Sequence, residues 1–219
     1  MTGAPPPSTA VRAHVVIAVK DLGRAKSRLA SRLDRAQRAA LVLAMLRDTL
    51  AAARSSDAVA GVTVITPDAA VAAVAETAGA AHLADPDEHA VDPLNSVLHS
   101  AARRLGMPGV PIVALQGDLP CLSADELTAA VTAALPHRRA VVVDHHGTGT
   151  AALIAATAAD LAPQFGADSA RKHIDSGAAA LTGNWPGLRL DVDTPADLDA
   201  AAALGAGPET ARVLRALGW

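Results

Sequence analysis

The sequence predicts an α/β protein whose mostly parallel sheet lies between helices. Three observations predict it. Short β-branched runs alternate with longer Ala- and Leu-rich runs along the chain, as successive strand–helix units do. The first run, Val15-Val16-Ile17-Ala18-Val19, is apolar throughout, which suits a strand covered on both faces. The 219 residues, 51% of them hydrophobic, suffice for one sizeable core and are few for two.

The elements follow in order. After the first strand, residues 36–53 read as a long helix, 61–65 as a second strand and 68–77 as a helix. Residues 81–84 read as a short third strand. Asp92 is placed to cap a helix running to residue 105, with Pro93 at its first position. Residues 111–115 are a strand. Ser123 then caps a helix, and Glu126 completes a capping box. Strands at 140–143 and 151–155 are separated by a Gly/Thr turn, and residues 168–176 are helical. Residues 188–192 read as a further strand. Thr194-Pro195 opens a helix to residue 203, and residues 209–217 form the last one. The Pro-rich residues 1–13 are read as a disordered tail and 14–219 as one domain.

Composition removes several classes of function. Phe165, Trp185 and Trp219 are the full set of aromatics, too few for a base-stacking platform. A net charge of −3 gives no bulk attraction to nucleic acid or to anionic membrane. The single cysteine, Cys121, allows neither an internal disulfide nor a cysteine zinc cluster and suits a reducing compartment. No apolar run approaches membrane-span length, so a cytoplasmic location is expected.

In sheets of this kind, ligands bind beyond the carboxyl ends of the strands. The first such end is followed by a basic loop carrying Lys20, Arg24, Lys26 and Arg28, a natural cradle for phosphates. It could equally be a solvated connector. Neither a P-loop nor a G-x-G-x-x-G occurs. Asp118, in Gln116-Gly117-Asp118-Leu119-Pro120, stands where a magnesium ligand or an ordinary turn Asp would stand. Asp191 and Asp193 are two apart, so an extended strand aims both carboxylates at one point. Such a pair calls for a cation; helix capping accounts for Thr194, Pro195 and Asp197 and leaves Asp191 unexplained. Gly147-Thr148-Gly149-Thr150 and Phe165-Gly166-Ala167-Asp168-Ser169 read as anion-binding turns, the latter at a helix start. His145, His146 and His173 read as surface or packing histidines, and Cys121 as a packed apolar residue.

The ordered series A-V-K-x4-A-K-S-R-L (18–29), V-I-T-P-D (64–68), D-P-L-N (92–95), L-Q-G-D-L-P (115–120), G-T-G-T (147–150), F-G-x-D-S (165–169) and D-V-D-T-P-A-D-L (191–198) resembles the phosphoenolpyruvate / 2-phospho-L-lactate guanylyltransferase family of deazaflavin coenzyme F-420 biosynthesis. The resemblance runs over residues 14–207. It implies a three-layer α/β/α nucleotidyltransferase fold with a Rossmann-like core. It implies GTP as donor, a small phosphorylated acid as acceptor, and Mg²⁺, two ions when substrates are bound. Asp118, Asp191 and Asp193 match the acidic metal cluster, with Lys26 beside it in catalysis. Lys20, Lys26 and Arg28 would hold the triphosphate, and Thr66, Pro67, Asp68 and Asn95 are the candidates near the base. Thr150, Gly166 and Ser169 match the acceptor positions of the phosphoenolpyruvate branch. The product would pass to the next enzyme of the pathway.

Three rivals stay open at this level. One is a transferase with another phosphorylated acceptor. The second is a catalytically silent nucleotide-binding regulator. The third is a glycosyltransferase with a D-x-D site, which would release no pyrophosphate.

Overall fold

The computed structural model of the protein describes residues 11–84, 92–106 and 108–219. Its strands are β1 (Ala13–Ala18), β2 (Val59–Ile65), β3 (Ala81–Leu83), β4 (Ile112–Leu115), β5 (Arg139–Val143), β6 (Thr150–Ala155) and β7 (Ala179–Ala180). They form one sheet in the order β3-β2-β1-β4-β6-β5-β7. β6 runs against its two neighbours, and every other pairing is parallel. β1 is central, with Val16 opposite Thr63 on one side and Ala114 on the other.

The helices are α1 (Arg35–Ser55), α2 (Ala69–Thr77), α3 (Pro93–Leu105), α4 (Ala124–Ala134), α5 (Ser169–Asp175), α6 (Pro186–Arg189), α7 (Pro195–Leu204) and α8 (Pro208–Leu217). Strand residues alternate between two apolar clusters, as a period of two requires. Val15, Ile17, Val113, Leu115 and Val142 join α1, α2, α4, α7 and α8 on one face. Val16, Ile112, Ala114, Val141 and Leu153 join α3 and Phe165 on the other. The layering is therefore α/β/α.

Local chemistry sets most helix starts. Asp92 accepts from the Asn95 N–H ahead of Pro93, and Ser123 with Glu126 forms the expected capping box. Thr194 with Asp197 forms another, with Pro195 at the first position of α7. At the far end, buried Asp48 of α1 accepts from the N–H groups of Glu209 (3.1 Å) and Thr210 (2.7 Å), which ties α8 to α1.

Two expectations are corrected. Ala13, assigned to the tail, opens β1, and its N–H donates to Ala58 O at 2.7 Å; the tail expectation for residues 1–10 lies outside the described residues. Residues 188–192 do not form a strand. Pro186 starts the short α6, and Arg189 ends it by donating to the carbonyls of Val143 (2.6 Å) and Leu181 (2.8 Å). Leu188, Leu190 and Val192 are buried, so the alternation that signalled a strand is real. It reports packing without a ladder, and the two-residue β7 takes the sheet edge instead.

Candidate active site

The carboxyl ends of β1, β2, β4 and β5 meet the start of β6 along one edge of the sheet. Gly117 brings the turn after β4 close over β1: a Cβ there would stand 3.0 Å from Ile17 Cγ2 and 3.2 Å from Val19 Cγ2. Beyond it, Asp118 accepts at its backbone oxygen from the Val192 N–H (3.2 Å). That bond draws residues 191–193 alongside the turn. The Asp193 and Thr194 N–H groups both donate to Asp197 Oδ2, at 2.9 and 2.7 Å, which holds the segment against α7.

Lys26 reaches into this acidic corner. Its Nζ donates to Asp118 Oδ2 and, at 2.7 Å, to Asp193 Oδ1. Its backbone is left-handed, with φ 52°, a conformation that a residue with a Cβ adopts at a cost. Arg28, largely exposed, stands 3.6 Å from Asp193. Lys20, also exposed, lines a cavity of about 300 Å³ with Val19, Lys26, Gln116, Asp118 and Asp193.

The electrostatics follow from the crowding. Burial, reinforced by Asp118, Asp144 and Asp193, pushes the Asp191 carboxyl up to about 6. Burial alone would lower the Lys26 ammonium, but Asp118 and Asp193 outweigh it and hold the group above the ordinary lysine range. Lys26, with exposed Arg28 at the rim, leaves the buried carboxylates under-compensated. Asp118 Oδ1 and Asp191 Oδ1 are buried without a hydrogen-bond partner, a costly state for a carboxylate unless a cation completes it.

The remaining predicted residues fall into two groups. Near β2, buried Thr66 accepts from the Asp68 N–H (3.1 Å), and Pro67 is exposed between them. Asp68 caps α2 and accepts from the Leu22 N–H (3.2 Å), so it anchors the basic loop. Asn95 is engaged: Nδ2 donates to Asp92 (2.7 Å) and Phe165 O (3.0 Å), while Oδ1 accepts from the Phe165 N–H (2.8 Å). On the other side, Thr150 and Ser169 are buried together, the Ser169 hydroxyl donating to Thr150 Oγ1 at 3.1 Å. Gly166, at φ 122°, makes the turn before them. His173 is a packing histidine, with Nδ1 2.9 Å from Thr150 Oγ1 and Nε2 accepting from the Gln164 N–H at 2.8 Å.

Residues 13–219 match the family described as "Guanylyl transferase CofC like". The chain belongs to that family. It is similar to a phosphoenolpyruvate guanylyltransferase of Nocardia farcinica, at 52% identity over 94% of this chain and 92% of that one. A protein of the same name in Mycobacterium marinum is 53% identical over 91% of this chain and 92% of its own. Among solved structures, a nucleotidyl transferase from Methanothermobacter has the same fold, with a TM-score of 0.61 at 16% identity over 94% of this chain and 99% of that one. The mostly parallel sheet of this chain thus has a nucleotidyltransferase-like fold.

Two features of this acidic corner were not read from the sequence. Asp197 is more than a cap: besides Asp193 and Thr194, it accepts from His145 Nε2 at 2.9 Å. His145 in turn places Nδ1 3.4 Å from Asp191 Oδ1. The 52-residue gap between His145 and Asp197 hides this pairing from any local pattern. The signal on offer was the unexplained adjacency of two histidines to the Gly/Thr turn.

Proposed function

We propose that the protein transfers GMP from GTP to phosphoenolpyruvate, giving enolpyruvyl-diphospho-5'-guanosine and pyrophosphate, as a cytoplasmic step of coenzyme F-420 biosynthesis. The observation that carries the reading is the convergence of Asp118, Asp191, Asp193 and Lys26 at the sheet edge, with two carboxylate oxygens unpartnered. Family membership and the names of relatives at 52–53% identity supply the donor and acceptor classes.

The residues present fit Mg²⁺. They are hard oxygen donors, crowded, and short of positive charge. Asp118, Asp191 and Asp193 would hold it. Bound there, Mg²⁺ offsets the repulsion between donor and acceptor phosphates and stabilises charge on the transferring phosphoryl group.

The chain's own groups do the rest. The acceptor phosphate is already anionic near neutrality, with a second pKa of about 6, so no side chain need act as its general base. One of its oxygens attacks the α-phosphorus of GTP while the bond to the β-phosphate oxygen breaks. Lys26 exchanges its carboxylate partners for phosphate oxygens, and Lys20 and Arg28 add charge for the leaving pyrophosphate. Thr66 to Asp68 shape the wall beside the basic loop. Asn95 acts through Phe165, fixing the turn at Gly166. Gln164 donates to His173 Nε2, so the ring proton sits on Nδ1 and points at Thr150. Thr150 Oγ1 accepts from both His173 and Ser169, which leaves the Thr150 hydroxyl hydrogen for the acceptor.

The test is incubation with GTP, Mg²⁺ and either phosphoenolpyruvate or 2-phospholactate, followed by pyrophosphate assay and product mass. The expected product carries the enolpyruvyl group. A faster reaction with 2-phospholactate or another acceptor would overturn the acceptor assignment, and no pyrophosphate release with any acceptor would overturn the reaction class.

A further inference from the structure

Beside the acidic corner, the described residues bring together another set of metal-ligating groups. One ligand atom each from His145, His146 and Asp197 lies within 4.8 Å of the others. Both histidines aim at a single oxygen: His145 Nε2 is 2.9 Å and His146 Nε2 is 3.2 Å from Asp197 Oδ1. Two ligands held at ~2.0–2.1 Å around a tetrahedral zinc ion stand roughly 3.3 Å apart. The two nitrogen–oxygen edges are therefore already close to ligand spacing.

The scaffold around these atoms is firm. Asp197 is buried, and its other oxygen is fixed by the Asp193 and Thr194 N–H groups, so Oδ1 is left to face the histidines. The turn that carries His145 and His146 is closed by Asp144, which accepts from the N–H groups of Thr148 (3.1 Å) and Gly149 (2.9 Å). The His145 N–H donates to Arg189 O at 2.8 Å. The two ring centroids lie 3.8 Å apart at a 39° tilt, so the imidazoles are held close together. His146 is half exposed, which gives an ion access and leaves room for water ligands.

A second, separate observation concerns the far side of His145. Its Nδ1 stands 3.4 Å from Asp191 Oδ1, an oxygen that is buried and otherwise unpartnered. A histidine that ligates through one nitrogen commonly presents the other to a carboxylate, which fixes the tautomer and orients the ring. The order Asp191, His145, open corner with His146 and Asp197 has that arrangement. Two imidazole nitrogens and one carboxylate select zinc-class transition ions over Mg²⁺.

We infer that His145, His146 and Asp197 form a transition-metal site of the zinc class, distinct from the Asp118–Asp191–Asp193 cluster and joined to it through the His145–Asp191 contact. An ion there would fix His145 and, through it, the orientation of the Asp191 carboxylate. The inference does not depend on which acceptor the enzyme uses.

The test uses the full chain, stripped with chelator and then held in excess Mg²⁺ so that hard-donor sites are saturated. Zn²⁺ is titrated against a chromophoric chelator, and Co²⁺ absorption reports imidazole ligation. The expected result is one Zn²⁺ per chain. His146→Ala, at a half-exposed position, should weaken it by ~100-fold or more, above the 10–100-fold typical of losing an outer partner. Asp118→Asn should leave it unchanged. Circular dichroism checks that both variants fold. No Zn²⁺ retained in Mg²⁺, or Zn²⁺ lost in Asp118→Asn and kept in His146→Ala, would overturn the inference.

Discussion

The two halves of the candidate site present opposite electrostatics. Around Asp118, Asp191 and Asp193, charge is crowded and incompletely paired, and Asp191 titrates near 6. Around Thr150, Ser169 and His173, neutral groups satisfy one another inside the core, and burial, with Arg139 and Lys172 nearby, pushes His173 down to about 4. The first half leaves two buried carboxylate oxygens without a partner; the second is ordered by its own hydrogen bonds, with the Thr150 hydroxyl hydrogen left over. Pre-organisation of this kind lowers the ordering cost of binding, whereas an under-compensated acidic cluster stores a penalty that binding relieves.

The largest expected effect lies in the acidic half. Asp118→Asn should reduce GMP transfer on the order of 10²–10³-fold, measured by pyrophosphate release, while circular dichroism remains native. Wild-type turnover would erase the contrast between the halves.

Next comes pH. Asp191 is raised in the folded state, so its ionisation penalises folding fully above about 6, and the penalty fades as pH falls from about 6 towards 3.8. In chelator, Asp191→Asn should be more stable than the parent chain by up to about 3 kcal/mol at pH 8, from ~1.36 kcal/mol per unit. The gap should close below pH 5 and shrink on adding Mg²⁺ at pH 8. Denaturant unfolding across pH measures both.

His173 should respond with the opposite sign. Its folded value lies below 6.5, so nothing is lost above that pH. Between about 6.5 and 4 the unfolded chain takes up a proton that the folded one refuses, and stability falls. His173→Gln should flatten that part of the stability curve. A parent chain whose curve matches the variant's between pH 6.5 and 4 would remove the neutral, pre-organised half of the comparison.

The smallest effect is Ser169→Ala. The buried hydroxyl donates to Thr150, so its loss should lower folding stability by about 1 kcal/mol and raise KM for phosphoenolpyruvate by no more than about fivefold, through a loosened Thr150. KM for GTP should hold. A hundredfold rise would mean that Ser169 touches the acceptor directly.

Local chemistry was legible. The caps at Asp92, Ser123 and Thr194 each depend on residues within one turn and formed as expected. The sharing of one side by Asp191 and Asp193 was also legible, although the strand invoked for it does not exist. Alternation encodes which side is buried, and burial of Leu190 and Val192 is enough. What was hidden depends on distant partners. Lys26 turns inward because Asp118, 92 residues on, and Asp193, 167 residues on, draw it there. Asn95 holds Phe165 across 70 residues, with its amide engaged within the fold. No spacing rule spans such gaps.

The latch at Asp48 bears on how the molecule is made. Asp48 is buried in α1, yet the N–H groups that satisfy it belong to residues 161 and 162 positions later. A chain in which Thr210 has not yet reached α1 holds an unmatched carboxylate on its longest helix, and α1 has reason to stay loosely docked until then. Synthesis order and folding order are thus coupled at a single carboxylate: α1 is made early and sealed late.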